Sequence, residues 1–79
     1  MTSPQLEALV NTWRRLRDTG AGLEEFAALL GHPAADLRST AAFLLARLRQ
    51  LPGVSEVLDR IAAESSDAVV RHFAARPAE

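Results

Sequence analysis

The side chains of this 79-residue chain best suited to proton transfer near neutral pH are its two histidines, His32 and His72. They do not form a two-histidine pair at helical spacing of the kind that grips a metal ion. His32 stands directly before Pro33, which makes it a helix-start residue, and His72 follows Arg71 on a terminal helix, where a surface or half-packed role is expected. The serines offer no nucleophile. Ser3, Ser55, Ser65 and Ser66 fall at expected helix starts, where a hydroxyl caps free backbone N–H groups, and Ser39 has no activating motif around it. Gly20-Ala21-Gly22 is no phosphate loop, because it follows a helix rather than a strand and lacks a Lys-Ser or Lys-Thr after it. With no cysteine, neither a thiolate metal site nor a disulfide is available. The chain therefore reads as non-enzymatic, with no catalytic, cofactor-binding or metal site expected.

What remains for function is surface, and arginine dominates it. Arg14, Arg15 and Arg17 cluster at the end of the first helix and Arg47 and Arg49 at the end of the third, places where positive charge also suits the helix dipole. If the two ends lie together, the five form a patch able to grip an acidic peptide or phosphates. Trp13 sits in the apolar stripe of the first helix, a core spacing, with arginine neighbours that leave room for a partly exposed role in binding. Trp13, Arg14, Arg15, Arg17, Arg47 and Arg49 are thus the candidate partner-binding residues.

Composition bounds the partner. All nine basic residues are arginine, and they are balanced by ten acidic residues, leaving a formal charge of −1. Such a chain has no global pull toward nucleic acid or anionic lipid. Its length allows one helical domain, residues 1–79, burying roughly 60–65% of the surface of its unfolded form. The N-terminus carries no basic segment followed by an apolar run, and the longest apolar stretch, Ala41 to Ala46, is far below membrane-spanning length. A cytoplasmic protein with no membrane contact is the expectation.

The elements that must position these residues are helices. Ser3 as cap and Pro4 at the first position open a helix over about 4–18, with Leu6, Leu9, Val10, Trp13 and Leu16 on one stripe. Asp18 to Gly22 break it. Leu23, Phe26, Leu29 and Leu30 define a second helix over 23–30, which Gly31 is placed to end in a left-handed conformation. Pro33 opens a third over 33–50, whose stripe of Leu37, Ala41, Leu44, Leu45 and Leu48 makes it the most apolar and hence the central one. Leu51-Pro52-Gly53 stops it, and a fourth helix over 54–63 and a fifth over 66–75, capped by Ser65 or Ser66 and stopped by Pro77, complete the chain. No segment alternates with period two. The expected fold is all-α, a compact five-helix bundle of antiparallel helical hairpins joined by short turns.

Two stretches echo one another: His32 to Ala42 and Ser65 to Ala75. In each, a turn leads into an aliphatic-Arg pair and, two residues later, an Ala-Ala pair, with Arg38 and Arg71 separated by 33 positions. A period of that length marks stacked helical repeats. Leu29 to Ala42 resembles the inter-helix turn and second-helix start of a HEAT repeat, and Ser65 to Pro77 the same part of a second unit. The resemblance implies hairpins tied together by an aspartate and an arginine at the second-helix start. Asp36 and Asp67 match the acidic position loosely, and Arg38 and Arg71 match the arginine well. The first helices superpose only when Leu30 is set on Ile61, an offset of 31, which predicts a turn two residues longer in the second unit. Helix one would then serve as a cap. A stack of this kind acts as a protein-interaction or adaptor module, here with a protein partner that carries an acidic segment. Its unfinished end could be completed by a second copy as a homodimer, with Leu58, Ile61, Val69 and Phe73 as the exposed edge.

Leu23 to Leu37 is also similar to a helix-turn-helix, with Ala27 at the helix crossing, Gly31 at the turn and Leu37 pointing to the core. That resemblance implies a DNA-binding transcriptional regulator with Ala35, Arg38 and Ser39 facing nucleic acid. One arginine beside Asp36 is a poor reading surface, and His32 and Thr40 depart from the apolar residues usual at their positions. Size and helix count also resemble death-domain-like homotypic adaptors of signalling or defence systems, an analogy of fold alone.

Overall fold

The computed structural model describes residues 1–75. They form five helices: α1 (Ser3–Thr19), α2 (Leu23–Leu29), α3 (Ala35–Ala46), α4 (Val54–Glu64) and α5 (Ala68–Ala75). No strand occurs among the described residues, and the fold is all-α. Pro77, the expected stop of the last helix, lies outside them.

Backbone N–H groups at each helix start decide the boundaries. Thr2, not Ser3, caps α1: its Oγ1 accepts from the Gln5 N–H at 3.3 Å while Gln5 Oε1 accepts from the Thr2 N–H at 2.9 Å. With Ser3 as the cap, the reciprocating position would fall on Leu6, which has no acceptor to offer. Asp67, rather than Ser65 or Ser66, caps α5, because its Oδ1 accepts from both Val69 N–H and Val70 N–H. Ser65 takes the preceding place and accepts from the Asp67 N–H. Ser55 is inside α4 with its hydroxyl on Glu56, and Gly53 occupies the cap.

Two turns differ from expectation. Gly31 is not left-handed; three successive i→i−3 bonds, from Leu30, Gly31 and His32 to Ala27, Ala28 and Leu29, lead the chain out of α2 without a positive φ. Pro33 accordingly precedes α3 by two residues instead of opening it. At its other end α3 stops at Ala46 rather than near residue 50, and 47–51 continue in tighter turns that still bury Leu48. Pro52 disfavours helical geometry at Leu51, so the last turns tighten before the break.

The helices form two layers. Contacts between their starts (the Met1 amine with Asp36, Arg38 with Asp67) and their ends (Trp13 with the Leu44 carbonyl, Arg49 with the Ala74 carbonyl) make α1, α3 and α5 parallel neighbours. Helices α2 and α4 lie behind them, and α3 packs against each of the other four. Its Ala41 and Ala42 are wholly buried, small enough for close approach, and Leu45 belongs to the same buried cluster as Phe26, Val54, Leu58 and Val70. Leu44 is only half-buried, and its backbone carbonyl accepts from Trp13 of α1.

Both rear helices start after a left-handed glycine, Gly22 (φ 92°) and Gly53 (φ 83°), a conformation that favours glycine, and these lie 31 positions apart. The starts of α3 and α5 lie 33 apart. The two extra residues are not in a longer turn, as the offset had suggested. Helix α4 is four residues longer than α2, and the turn from α4 to α5, residues 65–67, is two residues shorter than 30–34.

Candidate functional site

Arg38 stands at the junction of the starts of α3 and α5. Its Nε and Nη2 donate to Asp67 Oδ2 at 3.1 and 2.8 Å, and its Nη1 donates to the carbonyls of His32 and Pro33 at 2.8 and 3.0 Å. Four hydrogen bonds thus lock the guanidinium between α3 and the cap of α5. The Arg38 guanidinium beside Asp67 holds that carboxyl below the usual carboxylate range, with the Val70 and Val69 N–H groups adding to the effect. Arg71 repeats half of this arrangement, donating from Nη1 to the Ser65 carbonyl at 2.8 Å, the same six residues back as Arg38 to His32. Ser39 and Thr40 direct their hydroxyls to the Asp36 carbonyl, and Ala35 is exposed at the first position of α3. His32 accepts the Ala34 N–H on Nδ1 at the entrance to α3.

The five arginines do not form one patch. Arg15 turns toward α2 and pairs with Glu25 at 2.9 Å. Arg49 reaches the other way, to the Ala74 carbonyl and toward Asp59 at 3.7 Å. In the turns after α3, Arg47 lies over the Phe43 ring while Arg49, two residues on, reaches α5. Arg14, Arg17 and Arg47 remain exposed. Arg17 pairs with Asp18, which raises its pKa and lowers that of Asp18, and its guanidinium also lies 5.0 Å above the Trp13 ring. Trp13 is half-buried, its Nε1 donating to the Leu44 carbonyl at 2.8 Å, so it serves both as an α1–α3 bolt and as a platform for Arg17.

Beside it the same face carries aromatics that the stripe of α3 did not include. Phe43 is 42% exposed, yet its ring is held edge-on by Phe73 of α5 at 5.6 Å and covered in part by Arg47 at 5.9 Å. His72 packs edge-on against Phe73, and Val69, one turn before Phe73, is 51% exposed. The signal in the sequence was Phe43 itself, a large aromatic standing off the apolar stripe of its helix. Of the expected homodimer edge, Val69 is exposed, Phe73 and Ile61 are half-buried, and Leu58 is fully buried in the core.

No family model matches the chain, and no curated protein or solved structure matches it either. The face must be weighed on its own geometry. Two arginine–aromatic pairs, Arg17 on Trp13 and Arg47 on Phe43, lie on adjacent parallel helices, joined by the Trp13 bond to the residue after Phe43. Such a row presents flat apolar area and positive charge together. Elsewhere a cleft of about 270 Å³ opens between α1 and α2, lined by Gln5, Leu9, Thr12, Glu25, Leu29 and His32 among others. No group of three or more metal-ligating side chains occurs among the described residues. None of their helices is long and apolar enough to cross a membrane.

Proposed function

We propose that the protein is a non-catalytic protein-interaction module of stacked, HEAT-like helical hairpins that binds a partner through the outer face of α1, α3 and α5. The observation that carries this reading is Phe43, exposed to solvent but already held by Phe73 and Arg47. An aromatic fixed in its bound geometry loses little entropy on association, and aromatics with arginine neighbours are the residue types that dominate binding energy. The tie from Arg38 to Asp67 supports the stacked arrangement, being an arginine–aspartate link between successive second-helix starts. The helix-turn-helix alternative has less to work with: Arg38, its one cationic reader, commits four of five N–H donors inside the protein. The test is affinity capture from cell extract with the wild type and Phe43→Asp side by side. A partner retained by the wild type and lost by the variant, with unchanged helical circular dichroism, is the expected result. Equal retention by both would move the binding surface elsewhere, and amide shifts at residues 35–39 on adding mixed-sequence duplex DNA would favour the DNA reading.

A further inference from the structure

Resting on that reading, we infer that the occupant of the α1, α3 and α5 face is an acidic amphipathic segment of another protein, carrying leucine or phenylalanine anchors between its carboxylates. Charge is sorted by layer. The rear helices α2 and α4 hold Glu24, Glu25, Glu56, Asp59 and Glu64 against one arginine, Arg60. Seven of the eight described arginines lie on α1, α3 and α5 or in the residues just after α3, where Glu7, Asp18, Asp36 and Asp67 offset only part of their charge, so the front layer is net positive and the rear net negative. Within the outer face, Arg14 and Arg47 are exposed and make no ion pair with any described residue, so they are available to carboxylates from outside. Between and beside them stand Trp13, Phe43, Phe73 and Val69, an apolar strip that a purely acidic chain would leave uncovered. The complement is a segment with acidic and apolar residues on one side. A second copy of this chain supplies only half of it. On α2 and α4 its exposed carboxylates stand beside small Ala28 and Ala63 with no exposed large apolar side chain to meet Phe43, and exposed Leu6 of α1 has a single carboxylate, Glu7, beside it in sequence.

The test titrates the isotope-labelled full chain at low salt, following backbone amides. One probe is a synthetic helical peptide with glutamates flanking Leu and Phe at i and i+4; the other is the same peptide with Gln for every Glu. The acidic peptide should shift amides around Trp13 to Arg17, Phe43 to Arg47 and Phe73. The Gln peptide should bind about tenfold more weakly, and the double variant Arg14→Gln/Arg47→Gln should weaken the acidic peptide by about tenfold while leaving the Gln peptide unchanged. Equal binding of the two peptides at this face would overturn the acidic occupant and leave the interaction face standing. Shifts confined to α2 and α4 would overturn both. No shift at millimolar peptide overturns the inference, as would dilution of the protein alone moving amides on both layers, which would make a second copy the occupant.

Discussion

The two echoing segments, 32–42 and 65–75, share their bones and differ in their neighbours. In both, a cap residue (Ala34, Asp67) lies four positions before an arginine that reaches a carbonyl six residues back. In both, an aliphatic residue and an alanine one turn later are buried: Leu37 with Ala41, Val70 with Ala74. Yet the first segment leads a helix in contact with all four others, while α5 has α3 and α4 as its principal neighbours. Arg38 finds Asp67 across the stack, and Arg71 has no carboxylate partner among the described residues. Equal sequence thus has unequal weight, because position in the stack decides which copy of a contact holds helices together.

The widest separation between the two helices that these segments lead should come from a buried charge. Leu45→Asp puts an unpaired carboxylate at a wholly buried position of α3, a cost of several kcal/mol that a domain of this size does not withstand. Val69→Asp, at a 51% exposed position of α5, should leave the fold intact. Thermal denaturation followed by circular dichroism separates the two, and a cooperative melt for Leu45→Asp near the wild-type temperature would contradict the central role of α3.

Next in size is the arginine pair. Arg38→Ala should cost about 2–3 kcal/mol, since it removes charge-assisted bonds and strands half-buried Asp67, while Arg71→Ala should cost under about 1 kcal/mol. Urea midpoints of the two variants decide this, and equal losses would mean the stack position does not matter.

The same tie sets an acid sensitivity. Asp67 has a folded pKa below its unfolded one, so its contribution is fully present above the unfolded value of about 4 and is lost as pH falls through the lower folded value. Wild-type stability should therefore drop below about pH 4 more steeply than that of Arg38→Ala, as read from urea midpoints along a pH series. Parallel slopes would assign the acid limb to other carboxylates.

The smallest expected effect sharpens the likeness instead of breaking it. Ala34 has the extended geometry of a cap (φ −79°, ψ 119°) but no side-chain acceptor, whereas Asp67 caps α5 with its carboxylate. Ala34→Asp should stabilise α3 by about 1 kcal/mol, a rise of several degrees in Tm. A neutral or lower Tm would show that the turn at His32 and Pro33 holds the N–H groups of α3 away from a new acceptor.

All five helices were legible, because each is bounded by proline, glycine or a polar cap and carries an apolar stripe. The central place of α3 followed from its excess of apolar residues. What escaped were choices among adjacent candidates of similar chemistry. Thr2 and Ser3 both can cap, and only Gln5 three residues after Thr2 decides between them. Ser65, Ser66 and Asp67 compete likewise, and the ion pair to Arg38, 29 positions away in sequence, is invisible to local reading. The arginine cluster was legible as residues but not as a surface. Helical register sends Arg15 and Arg49 to different helices, and Phe43 enters the face through a tertiary contact with Phe73 that no spacing along the chain encodes.

The net negative rear layer and net positive front layer also make the molecule an electric dipole, although its formal charge is only −1. A charged body approaching through solution exerts a torque on such a dipole before any contact forms, turning the front layer toward a negative visitor. Correctly oriented collisions then become more frequent, and association accelerates as salt is lowered while dissociation changes less. The charge sorting would thus govern how fast a partner arrives, and the row from Trp13 to Phe73 how long it stays.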